Sequence, residues 1–242
     1  MSRIVDLELA IWGLKAIDTA PTTILAMASH TGGSVFVAEN HEGDLVGFCV
    51  GFRAMRDNIS LLWSHMAGVH PDYQGYGVGT SLKMAQHKWA GDVGYDAVGW
   101  TFDPLQAGNA NFNLNALGAV GVAYHKNFYG EMQDAINKTA LPSDRLEARW
   151  WTKKPQNHNS SDGNHYLVFA LDEQSDSPLA TDATSIDADA IGIRIPEHKS
   201  HANVQQWQAA ICRVFEQSLS LGYEATGFVR DSSFPYYVLT RR

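Results

Sequence analysis

The stretch Val69-His70-Pro71-Asp72-Tyr73-Gln74-Gly75-Tyr76-Gly77-Val78-Gly79-Thr80 constrains this chain more than any other. An apolar run from Ile59 to Gly68 precedes it and a helical pattern follows from Val78, so it reads as a strand end, a tight glycine turn and a helix start. Glycine at 75, 77 and 79 admits backbone conformations that a Cβ would forbid, and it leaves the amides unshielded. Bare N–H groups at the positive end of a helix attract anions, and a pyrophosphate is the natural guest. The expectation is that this loop holds the pyrophosphate of a nucleotide-type cofactor.

The elements before the loop follow from spacing. Leu7, Ala10, Ile11 and Leu14 predict a helix over 6–16, and Pro21 restarts a short one over 24–29. Gly32-Gly33 ends that pattern. Strands are expected over 34–38, 45–52 and 59–67, joined by turns at 41–44 and 56–58, as an antiparallel meander that the glycine loop closes. After the loop, Leu82, Ala85 and Trp89 predict a helix over 78–90, and 95–102 predicts a strand parallel to the previous one. Residues 107–117 read as a helix despite asparagines at 109, 111, 113 and 115, which either place amides for function or face solvent. Strands are expected over 118–124, 146–152 and 166–171.

Composition shifts near Lys153. The chain divides into a core over 1–152, polar and acidic loops around a strand over 153–190, and a C-terminal β-α-β unit over 191–242. Within 172–190 stand Asp172, Glu173, Asp176, Asp182, Asp187 and Asp189 with no Lys or Arg, read as solvated linker and not as a metal site. The C-terminal unit is expected either to pair with a neighbouring molecule, which leaves a homodimer open, or to complete the sheet in its own chain. A formal charge of −8 with no basic stripe argues against nucleic acid as a partner. Cys49 and Cys212 sit in apolar runs, too few for a disulfide framework or zinc site. No secretory signal and no membrane-length apolar window is present, so the expectation is a cytoplasmic protein with no membrane partner.

Three antiparallel strands, the motif Gln74-Gly75-Tyr76-Gly77-Val78-Gly79, a helix, a parallel strand, a helix ending in Leu117-Gly118 and a further strand resemble the GCN5-related N-acetyltransferase (GNAT) superfamily over about 35–126. The resemblance implies an α+β fold of three α/β/α layers around a mixed, splayed sheet, to which the β-α-β unit is appended. A narrower resemblance rests on Trp100-Thr101-Phe102-Asp103-Pro104-Leu105, Asn109, Phe112-Asn113-Leu114, Asn127-Phe128-Tyr129-Gly130 and Leu141-Pro142-Ser143-Asp144-Arg145. It points to a bacterial subfamily that includes amino-acid N-succinyltransferases found beside N-succinylamino-acid racemases.

What the resemblance implies is direct transfer of an acetyl or succinyl group from acyl-CoA to a small-molecule primary amine, an amino acid by preference, with no metal. Acyl-CoA would lie in a splay between the strand ending at Val69 and the strand ending near Thr101. The amides of Gln74, Gly75, Tyr76, Gly77, Val78, Gly79 and Thr80 would bind the pyrophosphate, Met66, Ala67 and Val69 the pantetheine arm and acyl carbonyl, and Asn109 would add a cofactor contact. The family often carries Arg where Gln74 stands, so one charge-assisted contact is missing.

An ammonium group has no lone pair, so transfer needs a base, and the departing thiolate needs an acid. His65 is the first candidate base, against the alternative of a core histidine bonded to a backbone carbonyl; Asp103 is its rival, against a turn-capping role before Pro104, and Glu39 is a third. Many family members place a tyrosine acid where Leu114 stands here, which leaves Tyr124, Tyr129 or water. Arg145 is the main candidate partner for a substrate carboxylate, or is paired to Asp144; Arg149, Lys126 and Arg53 are the others. Phe102 and Tyr129 would line the substrate pocket. Loss of the acid also motivates a second reading, an acyl-CoA binder without transferase activity.

Overall fold

The long hairpin of β2 (Leu45–Arg56) and β3 (Ile59–Val69) organises the first part of the computed structural model. Asp57 and Asn58 alone connect the strands, both at positive φ (52° and 61°), which matches a tight loop to the right-handed twist of its strands. β1 (Ser34–Glu39) pairs antiparallel with β2, while β4 (Ala97–Phe102) runs parallel to β3, giving a mixed sheet in the order β1-β2-β3-β4. The structure describes residues 1–13, 19–130, 141–153, 166–167, 169–172, 177–180, 188–196, 203–230 and 234–241, those from 166 to 180 by backbone alone. Backbone packing places residues 1–100 and 150–153 in one unit, and residues 101–130, 141–149 and the described residues from 166 onward in a second.

In the first unit the period-two alternation of β2 sends Phe48 and Val50 to one face and Gly47, Cys49 and Gly51 to the other. α1 (Ser2–Trp12) and α2 (Thr22–His30) bury Ile4, Leu7, Leu25 and Ala28 against Phe48 and Val50. α1 starts earlier than expected and stops at Gly13, whose left-handed φ of 60° lets its amide reach Leu9; part of the expected end, 14–16, lies outside the described residues. α3 (Val78–Val93) packs on the glycine face, where a Cβ on Gly47 would lie 3.0 Å from Leu82 and 3.1 Å from Val78.

In the second unit the expected helix over 107–117 forms and widens midway. α4 (Ala107–Asn111) passes into a wider turn over Phe112–Ala116, where the Leu117 N–H reaches back to Phe112 O at 3.0 Å. β5 (Val120–His125) pairs antiparallel with β6 (Arg145–Trp151). β7 (Tyr166–Leu167), β8 (Phe169–Asp172), β9 (Ser177–Ala180) and β10 (Ala190–Arg194) lead to α5 (Val204–Ser220), which buries Trp207, Ile211, Val214 and Phe215. The chain closes with β11 (Tyr223–Val229) and β12 (Tyr236–Arg241).

Two expectations need correction. The single final strand is a hairpin, with β12 between β11 and β10, so the C-terminal unit is β-α-β-β. Pro235, which has no N–H to donate, stands immediately before β12. The segment 172–190 is not all linker, because β9 pairs antiparallel with β8; residues 173–176 and 181–187 lie outside the described residues, as does the polar excursion over 154–165. The C-terminal unit joins its own chain's sheet, since Ala225 of β11 pairs with Gly121 of β5.

Asn115 explains the asparagine run. Its Nδ2 donates to Phe228 O at 2.7 Å and its Oδ1 accepts from Phe228 N at 3.1 Å, clamping the helical turn to β11; Asn113 is buried and donates to Asn109 Oδ1 at 3.2 Å. No helix among the described residues is long and apolar enough to cross a membrane.

The junction of α2 and β1 passes through Gly33, where a Cβ would stand 2.3 Å from Gly51 O and 2.6 Å from Ala28 O. Both neighbours are backbone and cannot swing away. Gly33→Ala is expected to destabilise the first unit by about 2 kcal/mol, which a thermal melt reads as a fall in Tm of roughly 5 °C; an unchanged Tm would contradict the packing described.

Candidate active site

β3 loses its partner on one side before it ends. Its ladder with β4 registers Leu61, Leu62 and Trp63 against Ala97, Val98 and Gly99, and pairing stops there among the described residues. Toward β2 it continues to Val69, with a break in register: Val50 pairs with Met66 and Gly51 with Ser64, so His65 is an extra residue. Such a bulge bends a strand and re-aims side chains. His65 packs its ring edge-on to Phe52, centroids 5.7 Å apart, and Met66 packs against the cluster that Phe52 also joins, while Ser64 turns to the α3 side.

His65 reaches solvent, yet desolvation by its apolar neighbours lowers its pKa below the usual histidine value. It has no hydrogen-bond partner among the described residues, so the carbonyl-bonded core histidine is not what the structure holds. A neutral imidazole at physiological pH is competent to accept a proton.

Beyond Val69, His70 N donates to Val46 O at 2.8 Å, and Pro71–Tyr73 form one 3₁₀ turn with His70 Nδ1 accepting from Asp72 N at 3.3 Å. Gln74 is spent on this turn: its N–H donates to Pro71 O at 3.2 Å and its Nε2 to Val69 O at 3.1 Å. The bare amides therefore run from 75, not 74. Ser81 N, bonded to Gly77 O at 2.9 Å, makes the first intrahelical bond, so the N–H groups of Gly75, Tyr76, Gly77, Val78, Gly79 and Thr80 have no protein partner among the described residues. Gly75 and Gly77 both have φ of +82°, where an L side chain is strained. Gly79 does not; a Cβ there would meet only Val69 Cγ2 at an ordinary 3.6 Å. Tyr76, at the tip, is 81% exposed.

Spacing missed two buried polar residues of α3, Lys83 and Gln86. The buried stripe of α3 is Leu82, Lys83, Gln86 and Ala90; Ala85 faces solvent. The Lys83 ammonium is buried, donates to Ser64 Oγ at 2.9 Å and Gln86 Oε1 at 3.3 Å, and lies 3.8 Å from the Trp100 ring centroid. Cys49 is buried beneath it; burial raises that thiol to about 11 and does the same to Cys212.

The remaining candidates lie in the second unit or at a distance. Glu39 is exposed and pairs with Arg3 at 3.1 Å. Asp103 Oδ1 accepts from Leu105 N at 2.9 Å, the cap of the turn before Pro104. Tyr124 donates its hydroxyl to Asp144 Oδ2 at 2.8 Å and stacks on Phe215, centroids 5.6 Å apart; burial and that carboxylate push its pKa far above the usual tyrosine value. Leu114, where the resemblance implies a tyrosine in many members, is buried. Arg145 donates to Asp144 O at 2.8 Å and sits 5.2 Å over the ring of Tyr129, whose hydroxyl shares a 3.2 Å bond with Thr101. Phe102 is buried, 4% exposed. Asn109 spends its amide oxygen on Asn113. Lys126 pairs with Glu216 at 2.7 Å. Arg149 and His125 converge on Glu147, itself fully buried, at 3.3 and 2.8 Å, a cluster that sequence spacing did not reveal. Among the described residues no group of three or more His, Cys, Asp or Glu could hold a metal ion.

Residues 31–127 match the family model described as an acetyltransferase (GNAT) domain, a span that includes the bulge, the loop, α3 and β5. No curated protein sequence matches the chain significantly. Among solved structures, Naa20 from Chaetomium thermophilum superposes with a TM-score of 0.50 at 16% identity, covering 67% of this chain and 90% of that one. The ribosomal-protein-S18-alanine N-acetyltransferase from Escherichia coli gives 0.48 at 13% identity over 64% and 90%. Nourseothricin acetyltransferase gives 0.40 at 21% identity over 50% of this chain, which spans 65% of that protein. The chain thus has the α+β GNAT fold, with a GNAT acetyltransferase domain matched over residues 31–127.

Proposed function

We propose that this protein is an acyl-CoA-dependent N-acyltransferase that moves an acetyl or succinyl group to the primary amine of an amino acid by direct transfer in a ternary complex. One observation carries this reading: six consecutive backbone N–H groups, 75–80, point free at the N-terminus of α3, next to a strand edge that has lost its neighbour. The first is the donor array a pyrophosphate needs, strengthened by the helix dipole. The second is a row of backbone groups suited to the amides of a pantetheine arm. Bound there, acyl-CoA would supply a thioester whose acyl carbon accepts the amine.

The chain's own residues supply the rest. Met66, Ala67 and Val69 present the strand edge, whose N–H groups would stabilise charge on the thioester oxygen. His65, thrown outward by the bulge and kept neutral by desolvation, takes the proton that the ammonium must lose. Arg145, whose planar guanidinium suits two-point contact with a carboxylate, is the residue that the resemblance implies for the acceptor's carboxylate; within its own unit it donates to Asp144 O and sits over Tyr129. Asp103 remains the rival base, although its carboxylate already caps a turn. Tyr124 is a poor acid, because its proton points at Asp144. That bond, with Leu114 buried in the usual tyrosine position, is what favours the alternative of an acyl-CoA binder without transferase activity.

Release of free thiol from acetyl-CoA or succinyl-CoA, followed with a panel of D- and L-amino acids, separates the two. Amine-dependent release is expected; CoA binding without release for any pair would leave the binder. His65→Ala is expected to lower kcat by about 10²- to 10⁴-fold at neutral pH with CoA affinity kept. Since the folded pKa of His65 is depressed, its base form is present above that value and lost below it. The acid limb of the wild-type rate should therefore fall below about 6.5 and vanish in the variant, once the ionisation of the amine itself is accounted for.

The loop gives a second measurement. Gly77→Ala must leave the left-handed region or strain it by about 1–2 kcal/mol, and is expected to weaken CoA binding at least tenfold by calorimetry. Gly79→Ala should leave Tm unchanged. Equal CoA affinity in wild type and Gly77→Ala would remove the loop from the binding site.

A further inference from the structure

Lys83 is a buried cation with no carboxylate partner among the described residues. Cys49 faces it from β2 and His87 lies one turn along α3; neither supplies a full negative charge near neutral pH, since burial raises the thiol to about 11 and His87 is depressed by its own burial. Desolvation accordingly lowers Lys83 to about 7. A buried charge of this kind works against folding, and an apolar side chain of similar length would fill the same space without that cost. Packing alone does not explain the lysine.

Its contacts do. The last registered step of the β3–β4 ladder is Trp63 with Gly99, and the next residues along the two strands are Ser64 and Trp100. These are the groups the ammonium touches, one through a 2.9 Å hydrogen bond and the other across a ring face at 3.8 Å. Gln86, which holds the same nitrogen at 3.3 Å, is itself anchored to Ser34 of β1 at 3.3 Å, so the lysine is fixed from behind. Where the backbone ladder ends, a side chain from α3 takes over.

Building on the acyltransferase reading, we propose that Lys83 is a positioning residue: its ammonium ties Ser64 of β3 to Trp100 of β4 at the first step beyond their last paired residues. The tie sets where the strands part and holds the residue before the bulge, so that His65 and the strand edge of 66–69 keep a fixed attitude. An apolar residue would fill the volume but could hold neither the hydroxyl nor the ring face.

The test uses the full chain and Lys83→Met. At pH 6, where Lys83 is charged, amide hydrogen exchange over 64–69 is expected to rise at least tenfold in the variant, with 59–63 unchanged and Tm equal to or above wild type. In turnover, kcat should fall at least tenfold and by a larger factor than KM for acyl-CoA rises, because the strand edge is loosened while the amides of 75–80 are untouched. Ser64→Ala cuts only the β3 side of the tie and should show the same exchange pattern at smaller amplitude; it decides the matter if Lys83→Met does not fold. Unchanged exchange over 64–69, or faster exchange throughout the unit with a lowered Tm, would overturn the proposal. Wild-type protein that binds no CoA and releases no thiol, with the local exchange difference intact, would instead remove the acyltransferase reading and leave the tie standing.

Discussion

Much of this structure depends on how β3 satisfies its backbone. A strand inside a sheet has two rows of N–H and C=O groups, and each row needs partners. β3 has both over Leu61–Trp63 and afterwards only the row facing β2. The bulge at His65 lies just past that point, and the glycine loop begins where the strand ends. One row of a strand and six amides of a loop are thus without a protein partner among the described residues. An isolated helix N-terminus would be an ordinary surface feature; adjacent to a strand edge without a neighbour it becomes an extended donor and acceptor track.

Electrostatics follows the same division. The chain carries a formal charge of −8 and offers no arginine in the loop, so attraction of a polyanion falls to oriented amides and the helix dipole rather than to side-chain charge. The cation nearest the loop along α3 is turned inward: Lys83 spends its charge on Ser64, Gln86 and Trp100. A desolvated ammonium over an aromatic face gains about 2 kcal/mol, less than the several kcal/mol that burying an unpaired charge costs. On these two magnitudes the charge is not accounted for by stability, which turns attention to its place at the end of the ladder.

How legible all this was in the sequence differs by element. The meander, the glycine loop and α3 were readable because periodicity and glycine placement act locally, and the expected run of bare amides over 74–80 differs from the observed one over 75–80 by one residue. Gln74 fell outside the free set only because the Pro71 turn captures its amide, a hydrogen bond with no sequence signal. The face of α3 was misread: Leu82, Ala85 and Trp89 fit a helical stripe, but the buried side includes Lys83 and Gln86, polar residues that no hydrophobic pattern places inside. The bulge is a matter of register between β2 and β3, invisible to either strand alone. Asn115 looked like a weak helix former, and its reason is a backbone bond to Phe228, more than a hundred residues away in sequence. The C-terminal hairpin was hidden by treating the apolar residues of 223–239 as one run across a breaker cluster.

The vacancy at Leu114 weighs less against transfer than the loss of a base would. In the proposed reaction the two proton movements are not equivalent. An ammonium group cannot attack until it loses a proton, so without a base the rate is tied to the small neutral fraction of the amine. A thiolate with an ordinary pKa near 8.5 departs at pH 7 for about 2 kcal/mol relative to its thiol, and water at an open strand edge can supply its proton afterwards. In that proposal an outward-facing histidine with a depressed pKa at the bulge would serve the step that water replaces poorly, and a buried leucine at position 114 would leave to water the step that it can serve. In that proposal Tyr124, which donates to Asp144 and stacks on Phe215, would not need to give up its proton.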